Sequence, residues 1–70
     1  MMSDLKITPA AARVNAGLTQ RDVAEKMGVS TNTVINWENG KTVPSVSMAW
    51  RLSELYGIPL DNIFFAADTN

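Results

Sequence analysis

Apolar and polar positions along the chain repeat at helical spacing, in short runs separated by glycine. Val23 and Met27 lie one turn apart with Ala24 beside them, and Val34 and Trp37 are three apart, so each run carries one apolar side. Each run also opens on a hydroxyl and closes on a glycine, as helix caps do. Thr8 with Pro9 predicts the start of a first helix, from about Pro9 to Ala16, stopped by Gly17. Thr19 caps a second, Gln20 to Met27, ending at Gly28. Ser30 caps a third, Thr31 to Asn39, ending at Gly40. Lys41 to Pro44 read as a loop, since a residue before proline is pushed toward extended backbone. Ser45 then caps a fourth helix through Tyr56, ended by Gly57. After the Ile58-Pro59 turn, Leu60 to Phe65 are predicted as a short fifth helix. The pattern contains no strand, and the expectation is an all-α domain of five short helices, ordered from about residue 8 to 65 within a single domain spanning 1–70.

The third helix has an unusual outer side. On a wheel of about 100° per residue, Val34 and Trp37 fall together and face inward. Asn32, Asn36 and Asn39 lie opposite, around Ile35, with Thr33 and Glu38 on the flanks. Asparagine is a mediocre helix former, because its side chain competes for backbone hydrogen bonds. A face chosen for stability would carry Glu, Lys, Gln or Ala. Asparagine can both donate to and accept from adenine in the major groove, and an apolar tip such as Ile35 can cover a thymine methyl. Trp37 offers a ring for base stacking, but its wheel position makes it core. Trp50 sits at the margin of the apolar side of the fourth helix, either over the fifth helix or exposed to a partner.

Composition narrows the function classes. The chain has 70 residues, with no cysteine and no histidine. It therefore has no disulfide, no thiolate or imidazole metal site, and neither of the commonest nucleophile and base residues, cysteine and histidine; neither an enzyme nor a cofactor or metal is expected. No apolar run reaches the length of a membrane span, and the first residues lack the basic start and apolar core of a signal peptide, so a cytoplasmic protein is expected. A net charge of −1 argues mildly against nucleic acid. Its distribution says otherwise: from Lys26 to Ser53 the only acid is Glu38, whereas Lys26, Lys41 and Arg51 share that span.

The spacing of Gln20, Ala24, Gly28, Val29, Val34 and Trp37 resembles the helix-turn-helix of the lambda-repressor-like, Xre-type family of phage repressors and bacterial regulators. The run GLTQRDVAEKMGVSTNTVINWENGKTVPS, Gly17 to Ser45, looks like that family's signature nearly end to end, and the likeness extends to about Phe65. GLTQ, the A-x-x-x-G of Ala24 to Gly28, and WENGKTVPS are its most specific parts. The resemblance implies a compact five-helix DNA-binding domain with the motif at helices two and three. It further implies a sequence-specific regulator of transcription, repressor or Cro-like, that binds double-stranded operator DNA as a homodimer on a palindromic site.

Carried over by position, Thr31, Asn32, Ile35 and Asn36 would read bases, while Gln20, Thr33, Asn39, Lys41 and Ser45 would hold the DNA backbone. Gln20 could also brace the reading helix, and Asn39 with Gly40 has an equal reading as the helix stop. Arg13 and Glu38 match a pair joining helix one to the end of the reading helix, which would neutralise the one acid of that span. Ile58, Pro59 and Phe65 would form the dimer interface, Ile63 and Phe64 being available to the core. Two features depart from the family pattern. Helix one is alanine-rich with a proline where a large apolar residue is usual, and the low net charge implies weak non-specific binding. The rival from another class is an antitoxin or protein-interaction module that keeps the helix-turn-helix as a scaffold.

Overall fold

A computed structural model describes residues 6–65. It contains α1 (Pro9–Asn15), α2 (Gln20–Met27), α3 (Thr31–Asn39), α4 (Val46–Tyr56) and a single 3-10 turn, Leu60–Asn62. Four of the predicted helices form within a residue of their predicted ends, and their caps explain why. Thr8 Oγ1 accepts from Ala11 N at 3.1 Å, Ser30 Oγ from Thr33 N at 3.1 Å and Ser45 Oγ from Met48 N at 3.2 Å. The cap of α2 is doubled. Thr19 Oγ1 accepts from Asp22 N at 3.0 Å, and Thr19 N donates to Asp22 Oδ2 at 2.9 Å, so two otherwise unpaired amides are satisfied reciprocally. These bonds from Thr19, the backbone one foremost, hold the Asp22 carboxyl below its ordinary pKa.

Gly28 makes the turn between α2 and α3. Its φ is +71°, and an added Cβ would meet nothing within 4 Å. The requirement is therefore the sign of the backbone angle rather than crowding. That left-handed step turns Val29 N back onto Ala24 O at 3.0 Å and brings Val29 against the core.

The fifth helix does not form. Leu60–Asn62 make one 3-10 turn, and Ile63 at its end is extended, with φ −106° and ψ 126°. Ile63 pairs in parallel with Ile7: Ile7 N donates to Asn62 O at 2.8 Å, and Phe64 N donates to Ile7 O at 2.9 Å. A hydrogen-bond partner more than fifty residues away satisfies backbone that a helix would otherwise have to satisfy locally. The alternation follows from this geometry, since Ile63 is buried and its neighbour Phe64 is 53% exposed. Of the two residues available to the core, only Ile63 enters it.

The core joins all the elements. Ala12, Val23, Ala24, Met27, Val34, Trp37, Leu52, Tyr56 and Ile63 form one buried cluster, with Leu18, Val29, Met48, Leu55, Ile58 and Phe65 packed around it. Only Pro9 and Ala12 are buried from α1. The most extensive helix pairing is α2 with α3, which fixes the direction in which the outer side of α3 points. Arg51 adds a tie from α4, donating from Nη2 to the carbonyl of Lys26 at 3.3 Å, near the negative end of α2.

Candidate nucleic-acid interface

The inward side of α3 is held by packing and by one polar cluster. Val34 and Trp37 are 1% and 7% exposed. One turn from Val34, Glu38 receives Arg13 Nε at 2.6 Å and Arg13 Nη2 at 3.2 Å, a two-bond clasp. Gln20 Nε2 donates to the same carboxylate at 2.9 Å, and Arg13 Nη1 donates to the carbonyl of Leu18 at 3.0 Å. Their side chains are 14% and 6% exposed for Arg13 and Glu38 respectively. The cluster thus ties α1, the turn before α2, the first residue of α2 and the end of α3 together. Its hydrogen bonds with Glu38 raise the Arg13 pKa above the ordinary value. Nearby, burial pushes the Tyr56 phenol up to about 12, with the negative charge of Glu38 adding to the effect.

Glu38 is therefore turned away from the outer side of α3 and is neutralised. Thr31, Asn32 and Asn39 are exposed, and Thr33, Ile35 and Asn36 are half-buried. Thr33 Oγ1 lies 3.0 Å from Ser30 Oγ, so that hydroxyl is engaged in the cap. The backbone carbonyl of Asn36 accepts from Lys41 N at 2.9 Å and Thr42 N at 3.3 Å. These bonds fold the loop after α3 back onto the helix and fix where Lys41 begins. Lys41 and Ser45 are both exposed, the latter at the amide-bearing start of α4. The outer surface of α3 and its margins is consequently a stripe of amides and hydroxyls around one aliphatic side chain, free of acids. Such a stripe can pair with base edges without repelling phosphates.

Residues 10–63 match the family model described as Helix-turn-helix. The chain belongs to the Xre-type helix-turn-helix family. Its relatives include an uncharacterized HTH-type transcriptional regulator of Methanocaldococcus jannaschii, 41% identical over 51 residues that make up 73% of this chain and 77% of the relative. The cryptic phage CTXphi transcriptional repressor RstR of Vibrio cholerae is 33% identical over 58 residues, 83% of this chain and 52% of the repressor. The HTH-type transcriptional regulator ImmR of Bacillus subtilis is 36% identical over 50 residues, 71% of this chain and 39% of the regulator. This chain thus spans about half or less of the length of those two regulators. No solved structure matches. Family and relatives together make the chain a DNA-binding regulator of transcription, not an enzyme.

In this helix-turn-helix domain α2 and α3 are the motif, and the structure brings Arg13, Gln20 and Glu38 together. The residues predicted for the dimer interface are spread differently. Pro59 is exposed, but Ile58 and Phe65 pack partly against the core. The exposed aromatics are Phe64 and, at 56%, Trp50. Val46, one turn before Trp50 on α4, is 74% exposed. Among the polar partnerships that escape the sequence reading are the Asp22 carboxylate in the α2 cap, for which T-x-x-D at Thr19 is a usable signal, and the Arg13 contact with Leu18 O, for which there is none. An open groove of about 290 Å³ between α2 and α4, lined by Lys26, Met27, Arg51, Glu54 and Leu55, includes no residue of α3. No described helix is long and apolar enough to cross a membrane.

Proposed function

We propose that the chain is a sequence-specific regulator that binds double-stranded operator DNA by placing α3 in the major groove, as a homodimer on a palindromic or near-palindromic site. The observation that carries this reading is the division of α3: its outer side bears amides, hydroxyls and Ile35, while its one acid is clasped inward by Arg13 and Gln20. Thr31, Asn32, Ile35 and Asn36 contact base edges. Thr33, Asn39, Lys41 and Ser45 contact the phosphate backbone, Ser45 through amides at the start of α4. Gln20 braces α3 with one amide hydrogen, and its second hydrogen serves a phosphate. Two copies of α3 about 34 Å apart reach successive major grooves on one side of the duplex. Ile58, Pro59 and Phe65, together with exposed Phe64, supply the dimer contact, and the protein acts in the cytoplasm by occluding or recruiting at a promoter.

A gel shift on the DNA flanking its own gene, with random duplex and the Asn36→Ala variant alongside, tests the reading. The parent should prefer the flanking DNA, and the variant should lose that preference. Equal binding of specific and random duplex by the parent contradicts it. Sedimentation on a two-half-site duplex tests the dimer, which a persistent single copy contradicts. The exposed apolar pair Val46 and Trp50 favours a second reading, in which the domain is an antitoxin or interaction module. That reading predicts a protein complex that survives Asn36→Ala and is lost in Trp50→Ala.

A further inference from the structure

The outward side chains of α3 restrict which bases it can select, an inference that rests on the DNA-reading role proposed above. Guanine presents two acceptors, N7 and O6, to the major groove and is matched by a side chain with paired donors, arginine or lysine. Adenine presents an acceptor, N7, beside a donor, N6, and is matched by an amide, which accepts with its oxygen and donates with its nitrogen. Thr31, Asn32, Thr33, Ile35, Asn36 and Asn39 include three amides and no cation. Arg13 is consumed by Glu38 and Leu18 O. Lys26 lies in the last turn of α2, and Lys41 follows the Gly40 stop. An amide set against guanine directs its oxygen at an acceptor or forgoes one of its two bonds.

The geometry selects among the three amides. Asn32 and Asn36 are one turn apart on the same ridge, and Ile35 lies three residues on from Asn32, both spacings at which helical side chains adjoin. Asn36 is half-buried and sits where its own carbonyl receives the folded-back loop, so its side chain is presented from a fixed base. Four residues rise about 6 Å, close to two base-pair steps of about 3.4 Å. The Thr33 hydroxyl is bonded back to Ser30 and is not aimed at a base.

We infer that each operator half-site carries two adenines about two base-pair steps apart, read by Asn32 and Asn36, with a thymine whose 5-methyl group packs on Ile35, and that α3 rejects guanine at both amide positions. Specificity on this account comes from the major-groove edge. An A·T preference could instead arise from a narrow minor groove or easy bending, so the experiment separates the two.

Duplexes are selected from a randomised library by the whole chain, and the winning site is resynthesised with single modified pairs. Inosine·cytosine in place of a contacted adenine·thymine pair keeps an A·T-like minor groove while presenting the major-groove edge of guanine; affinity should fall by about fivefold or more. Diaminopurine·thymine alters only the minor groove and should leave affinity within about twofold. Uracil in place of the contacted thymine removes one methyl and should weaken binding about fourfold, an effect that disappears in Ile35→Ala. Guanine at the amide positions of the selected site, or tolerance of inosine with sensitivity to diaminopurine, overturns the inference while leaving the regulator reading intact. A library with no enriched site overturns both.

Discussion

The two sides of α3 answer opposite demands. Its inner side carries Val34 and Trp37 in the core and Glu38 in a four-membered polar cluster, every group there having a partner within the molecule. Its outer side carries side chains that use little of the fold: Thr31, Asn32 and Asn39 are exposed. Residues poor at making helices are affordable on the outer side because the inner side, the Ser30 cap and the Gly40 stop hold the helix without them. Stability and recognition are therefore separable within nine residues, and substitutions on the two sides should fail in different ways.

The largest expected effect is on the inner side. Trp37→Ala removes the largest side chain of the core and should cost about 3 to 5 kcal/mol, seen as a lowered denaturant midpoint. In a domain this small that approaches complete unfolding. A loss under about 1 kcal/mol would mean that Trp37 is not the keystone of α3. Arg13→Ala comes next, since it leaves the Glu38 carboxylate buried beside Gln20 without its cation. About 3 kcal/mol is expected. A double-mutant cycle with Glu38→Gln should show coupling well above that of an exposed ion pair; additive effects would remove the clasp from the account.

The same inner side gives an alkaline signature. The Tyr56 phenol is raised from 10.0 to about 12, so the folded chain keeps its proton where the unfolded chain has lost it. Stability from this group is complete below pH 10 and is lost as pH rises from 10 toward 12, by up to about 3 kcal/mol. Thermal melts at pH 9 and 11.5 should show a drop that is smaller in Tyr56→Phe. An equal drop in both proteins contradicts the assignment to Tyr56.

The motif was legible in the sequence because its determinants are local. Thr19, Gly28, Ser30 and Gly40 mark the helix ends through bonds to residues at most a few positions away, and Val34 with Trp37 shows the buried side by spacing alone. The Arg13 and Glu38 pair spans 25 residues, and it could be expected only because the surrounding residues resemble a family that has it. The chain end departs from its local pattern for the same reason. Leu60 to Phe65 look like a turn of apolar helix, but Ile63 takes its partner from Ile7, at the opposite end of the chain, and no local pattern shows that pairing. The extended backbone then exchanges the places of Phe64 and Phe65, sending the former outward and the latter toward the core.

The separation of stability from recognition is tested most directly by one variant measured two ways. Asn36→Ala should unfold within about 0.5 kcal/mol of the parent, as a substitution outside the core does. On the selected operator it should lose about 1 to 3 kcal/mol of discrimination against a changed base pair at its contact. A variant that unfolds several kcal/mol more easily, or one that folds normally and still discriminates as the parent does, contradicts the division of α3 into a holding side and a reading side.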